Sequence, residues 1–339
     1  MDIGHNRLLG HLPADIGFLS KLKVISLELN NLSGLIPPSV GNLSSLEQIW
    51  MSINNIQGMI PGTLGNLKNM KQLHLGFCKF TGQIPHTFWN LTQMTHLSLL
   101  ANNLLGTIPP SLGRCQSLLL LDLGYNNLTG AIPLEVIGLS SLSIYADFSN
   151  NNLEGELPME IGNLKNLGQL NLSWNKFSGE IPGSLGSCQS LQYLFMQENL
   201  FSGMIPSTFR SLKGIQILNL SHNSLAGRIP EFLEDLNLTS LDLSFNNFEG
   251  SLPTGGVFAN TSSTSVLGNE NLCGGLPEYQ LPNCKSTGSN HRMRDVYIYV
   301  GSEILAILLT IFFLYFILHK NERKKIVDSG FSDHHLPKI

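Results

Sequence analysis

The chain has 339 residues, of which only 13% are charged, and a formal net charge of −4. A nucleic-acid surface needs a dominant basic patch, and this composition supplies none. The thirty-three Gly and sixteen Pro recur in register, which excludes a low-complexity chain.

The first twenty residues, MDIGHNRLLGHLPADIGFLS, lack a basic start followed by an apolar run, so no signal peptide is read there. Met1 and Ile3 already occupy apolar slots of a 24-residue frame that continues to about residue 253. Leu167 to Ser190 shows the frame: Leu167, Leu170, Leu172, Phe177, Ile181 and Leu185 are apolar, and Asn175, Gly179 and Pro182 stand between them. The anchoring prolines run from Pro13 to Pro253 at gaps of 24, except 25 before Pro158 and 23 before Pro253. Gly stands three residues before each of the eleven prolines. Seven residues before, Asn stands in ten copies and Cys78 in the other. A period of this length marks a solenoid.

Each slot has a physical task. Pairs such as Leu73 and Leu75 predict a short strand with alternate residues inward. Stacked copies pair as a parallel sheet at about 4.8 Å per repeat. The Asn amide can bond turn groups that burial would otherwise leave unsatisfied. The Gly permits a tight or positive-φ turn, and the Pro fixes φ in the crossing segment. Apolar residues such as Leu64, Leu67 and Leu112 close the core behind it. Cys115 and Cys188 fall in that Leu slot and are expected to be buried and inert. Cys78 is read as structural too.

The frame L-x-x-L-x-L-x-x-N-x-L-x-G-x-I-P-x-x-L resembles the plant-specific leucine-rich repeat over residues 1–253, about eleven repeats with the first incomplete. The resemblance implies an α/β-type leucine-rich-repeat solenoid: a twisted right-handed superhelix with a concave parallel β-sheet and often a second short strand near the Gly-x-Ile-Pro segment. Family members carry a cysteine-paired N-terminal cap that has no counterpart before Met1, so the chain is expected to start inside the array. Residues 254–284 contain N-x-N-L-C-G-G-x-P-x-x-x-L-P-x-C. This resembles the C-terminal cap of the plant receptor kinases that include the flagellin and elongation factor Tu receptors. It implies a Cys273–Cys284 disulfide and hence an oxidising compartment. Eight N-x-[ST] sequons agree: Asn31, Asn42, Asn90, Asn127, Asn171, Asn219, Asn237 and Asn260.

Residues 285–295 read as a polar linker. Residues 296–318 are 23 mostly apolar residues, long enough for one transmembrane helix. Lys320, Arg323, Lys324 and Lys325 follow and favour a cytoplasmic C-terminus, residues 319–339. Glu303 lies within the span and reads as a carboxyl near the outer interface. Related receptors continue here into a Ser/Thr kinase, but no Gly-rich loop, catalytic Lys, H-R-D or D-F-G stands in a suitable context, so no enzyme is expected. No metal or cofactor motif is found.

Function is therefore expected on the variable outward positions of the concave sheet. Asp122, Asp147 and Asp242 share one such offset and read as solvent-facing strand residues. Exposed aromatics are favoured anchors, which singles out Trp50, His74, Phe77 and His96, then Tyr125, then Trp174, Tyr193 and Phe195. The resemblance implies a plasma-membrane receptor ectodomain that binds a peptide or protein ligand there and a co-receptor leucine-rich-repeat kinase near the membrane, in immune or developmental signalling. Two rival readings remain: an extracellular inhibitor of polygalacturonases, and a non-functional receptor gene fragment.

Overall fold

The structure is a computed structural model that describes Met1–Cys284 and Leu309. Met1–Cys284 is one compact unit. It contains two parallel sheets, each built by adding one strand per coil in chain order, as a leucine-rich-repeat solenoid requires. The eleven-stranded sheet starts with Val24–Ser26 and ends with Thr264–Ser265. Like slots pair without slippage: Ile25 opposes Ile49, Ile49 opposes Leu73, and Leu73 opposes Leu97. The inward residues of these strands form the core, with Ile25, Ile49, Leu73, Leu97 and Leu121 essentially excluded from solvent. This sheet takes the place that the resemblance assigns to the concave one.

The second sheet has twelve strands, from Leu9–His11 to Asn271–Gly274. The frame glycines lie on it with φ between 75° and 97°, from Gly203 to Gly10, a region closed to most side chains. Each frame proline then leads into one short helical turn, such as Gly62–Asn66 after Pro61.

Copies of unequal length reveal where the frame can yield. In the coil between Pro133 and Pro158, Val136, Leu139 and Leu142 keep their usual offsets from the proline, so the extra residue falls between Leu142 and Ala146. The turn itself is an α-turn at Leu134–Ile137, where the Ile137 amide donates to the Pro133 carbonyl at 3.0 Å. The missing residue before Pro253 is absorbed after Glu231–Asp235, where Leu236 becomes extended. Both sheets keep their register through these coils.

The frame asparagines form a continuous ladder. Asn54 accepts from the Leu32 amide at 3.0 Å and donates to the Leu27 and Met51 carbonyls at 3.0 Å. The pattern repeats from Asn30 to Asn246 and gains one more rung from Asn269. Residues 254–284 therefore supply a further coil in frame: Thr264–Ser265 joins one sheet, Asn271–Gly274 joins the other, and Cys273 is bonded to Cys284. At Cys78 the ladder is interrupted; its thiol reaches only the Met51 carbonyl, at 3.5 Å. Cys115 and Cys188 are buried in their Leu slots, and burial pushes both thiols up to about 11.

Among the described residues no helix is long and apolar enough to cross a membrane. The expected linker, the transmembrane segment at 296–318 and the tail lie outside the described residues.

Candidate functional site

Four columns of side chains leave the eleven-stranded sheet and the turn that follows it. Two come from the strands, as at Gln48 and Trp50. A third comes two residues later, as at Ser52, and the fourth stands just before the ladder asparagine, as at Ile53.

Three of the expected residues meet. Trp50 and His74, opposed on adjacent strands, stack with ring centroids 4.0 Å apart and planes 10° from parallel. His96 follows at 6.2 Å. Burial, reinforced by His96, pulls His74 down to about 4, so it is neutral near pH 7. Its Nε2 is buried without a partner. Phe77 stands on the turn of the same coil, exposed. Tyr193 and Phe195 project half-buried from one strand, with the Tyr193 hydroxyl 3.4 Å from Gln216 Oε1. No ring pairing joins them to Trp174 among the described residues, so that second cluster is a patch without stacking.

The fourth column carries a feature that residue types do not signal. His5, Leu29, Ile53, Phe77, Ala101, Tyr125, Asn150, Trp174, Glu198, His222 and Phe245 all have φ between 51° and 58°. A β-branched or aromatic residue there is an outlier, costing about 1–2 kcal/mol. The neighbouring coil holds it in place: the Leu29 amide donates to the Ser52 carbonyl, and the Ile53 carbonyl accepts from Asn30. The side chains are turned outward, and Trp174 is 53% exposed. Phe77, Tyr125 and Trp174 thus stand on a strained rim.

The aspartate row needs correction. Asp122 does not face solvent; it is 2% exposed. The Tyr145 hydroxyl donates to its Oδ2 at 2.7 Å and the Ser98 hydroxyl at 3.1 Å. Burial pushes Asp122 up to about 6, the Tyr145 bond opposes this, and the nearby Asp147 adds to it. Tyr145 is raised in turn, first by burial and then by Asp122. Tyr145 was missed as a site residue; the signal was a tyrosine two places before Asp147, on the strand beside Asp122.

Of the sequons, Asn31, Asn42, Asn127, Asn237 and Asn260 are exposed and Asn90 is half-buried. Asn171 and Asn219 lie half-buried on the sheet. The Asn171 amide donates to Asp147 Oδ2 at 3.0 Å, and Asn219 Oδ1 accepts from the Ser221 hydroxyl at 2.8 Å.

Models of the leucine-rich repeat match residues 189–248 and, singly, 21–43, 69–91, 144–164 and 166–188. A probable leucine-rich-repeat receptor-like serine/threonine-protein kinase of Arabidopsis thaliana is 47% identical over 49 residues, 14% of this chain and 5% of that protein. The crystal structure of a TDR receptor superposes with a TM-score of 0.71 at 33% identity, over 74% of this chain and 44% of that one. The ectodomain of the Arabidopsis receptor kinase HAESA, bound to an IDA peptide hormone, gives 0.66 at 29%, over 80% and 53%. A plant ice-binding protein gives 0.64 at 28%, over 85% and 84%. The chain thus spans about half or less of the receptors it matches, and it shares their leucine-rich-repeat fold.

Proposed function

We propose that this chain is the ligand-recognition part of a plant leucine-rich-repeat receptor. It is anchored in the plasma membrane by residues 296–318, with its repeats outside and its C-terminus in the cytoplasm. The ligand is a peptide or protein lying along the eleven-stranded sheet, and a co-receptor kinase joins nearer the membrane. One observation carries this reading. The frame positions are nearly invariant from coil to coil, while the outward columns vary along the array and carry the Trp50–His74 stack, with His96 tilted beside it, and the strained aromatic rim. Exposed rings on a rigid scaffold are suited to recognition. The peptide-bound HAESA ectodomain has the same fold. The Cys273–Cys284 bond supports an oxidising compartment. The group of the flagellin and elongation factor Tu receptors is favoured by the cap spacing.

Likeness to an ice-binding protein does not transfer that role. Successive outward positions on the second sheet, Leu35, Met59, Gln83, Thr107, Ala131 and Glu156, form no repeating polar lattice. The test is surface labelling and glycosidase digestion of the full chain expressed in leaf cells. The expected result is a surface pool whose mass falls on deglycosylation. No surface pool and no glycan shift would overturn the receptor reading and favour a non-functional fragment. Inhibition of a polygalacturonase by the purified chain would favour the inhibitor instead.

A further inference from the structure

The outward face of the eleven-stranded sheet is charged in one sense only. Across the ten coils from Val24 to Ser244, its four columns hold five carboxylates, Glu28, Asp122, Asp147, Glu198 and Asp242, and neither Lys nor Arg. The lysines just before its strands are already engaged: Lys23 and Lys71 pair with Glu47 at 3.6 and 2.8 Å. Asp122 and Asp147 are opposed on adjacent strands. Their hydrogen-bond partners are hydroxyls and amides, without a cation.

A second observation singles out this point. In three later coils, a serine two residues after the outward Asx donates its hydroxyl back to that side chain: Ser173 to Asn171 at 2.7 Å, Ser221 to Asn219 at 2.8 Å and Ser244 to Asp242 at 2.6 Å. Ser149 stands in the same relation to Asp147, and its amide does donate to Asp147 Oδ1 at 2.8 Å. Its hydroxyl, however, has no partner although the residue is 1% exposed. That hydroxyl packs against Gly124: a Cβ there would lie 2.9 Å from Asp147 Oδ1 and 3.3 Å from the Ser149 Oγ, so the two side chains fill the space that a larger residue would take. An orphaned buried hydroxyl beside two carboxylates is an acceptor set lacking its donor.

We infer that the ligand is a cationic peptide and that one of its Lys or Arg side chains seats at Asp147, with the Ser149 hydroxyl as a further acceptor and Asp122 as the charge behind. This deepens the peptide-recognition reading and rests on it. Charge complementarity selects the partner: an acidic or carboxylate-anchored peptide would find neither Lys nor Arg in the four columns of this face. The aromatic stack at Trp50 and His74 lies on one side of the pair, and Tyr193 and Phe195 on the other. An extended peptide crossing the strands would therefore meet rings, then acid, then rings.

The test uses the purified full chain and an array of twelve-residue peptides. Each has apolar and aromatic flanks and a central Arg, Lys, Gln or Glu. Arg- and Lys-centred peptides should bind about tenfold or more tightly than their Gln-centred counterparts, with Glu-centred ones weakest. The preference should shrink at high salt. The isosteric double variant Asp122→Asn/Asp147→Asn should lose the preference and keep its circular dichroism, whereas Asp242→Asn should keep the preference. Asp147→Lys should turn it toward Glu-centred peptides. Binding without charge preference, or a preference that survives the double variant, overturns the cationic assignment and leaves peptide recognition standing. Binding of no peptide in the array overturns both.

Discussion

Asp122 is an ionisable group placed where the fold does not favour its charge. Its carboxyl is raised from an ordinary 3.8 to about 6, chiefly by burial. The folded chain therefore holds this proton more tightly than the unfolded one. The resulting stabilisation is full below about pH 3.8, declines as pH rises toward 6, and is absent above. Asp122→Asn keeps a neutral group of the same shape. It should change stability little at pH 3 and raise it at pH 7 by on the order of 2–3 kcal/mol. Urea unfolding at the two pH values checks this, and an equal effect at both would refute it. Little of this was legible in the sequence. An Asp at an outward strand position reads as solvated, because nothing in one strand reports that Tyr145 on the next will cover it. The positive φ of Ile53, Phe77 and Trp174 was equally hidden, since the conformation is imposed by backbone bonds from the next coil and not by the residues themselves.

At the scale of one coil, legibility was high. The paired apolar slots became strands, and the frame glycines took the positive φ expected of them. Asparagine proved to be more than a turn residue, since each one serves two coils. Cys78 shows the cost of losing it. Elsewhere an Asn oxygen accepts the amide two residues after the previous rung, as Asn102 does for Phe80 at 3.0 Å. At Cys78 only a thiol lies near Ile56. Cys78→Asn should restore the rung and raise stability by about 1–2 kcal/mol, visible as a higher melting temperature. A lower one would show that the pocket has closed around sulfur. Glycines of the helical turns were not foreseen as packing residues: a Cβ on Gly65 would lie 2.5 Å from the Thr87 carbonyl oxygen. In the coil where Trp89 holds this position, Arg114 lies over its ring at 4.9 Å.

For Met1–Cys284 as a whole, stability is close to a sum of coil and neighbour terms. The two ends differ. Residues 254–284 add a coil and a disulfide, whereas the first coil shows its frame residues Met1, Ile3, Leu8 and Leu19 to solvent, with Phe18 82% exposed. Their counterparts Ile25, Leu27, Leu32 and Leu43 are buried. Hydrogen exchange should therefore be fastest over residues 1–22 and slowest in the central coils. Uniform protection along the array would contradict nearest-neighbour stacking. Repetition is why so much of the architecture could be read from the sequence: each slot was reported about eleven times. The site is reported once per coil in different letters, and repetition does not help there.

The 25-residue coil has a practical bearing. Val136, Leu139 and Leu142 keep their usual offsets from Pro133, so its surplus residue is taken up between Leu142 and Ala146, and the strands Leu120–Asp122 and Tyr145–Asp147 still align. That short connection is a natural splice point. A fluorophore-bearing or affinity-tag peptide inserted beside the exposed Ile144 would report from the border of the sheet, leaving the recognition columns in their original spacing.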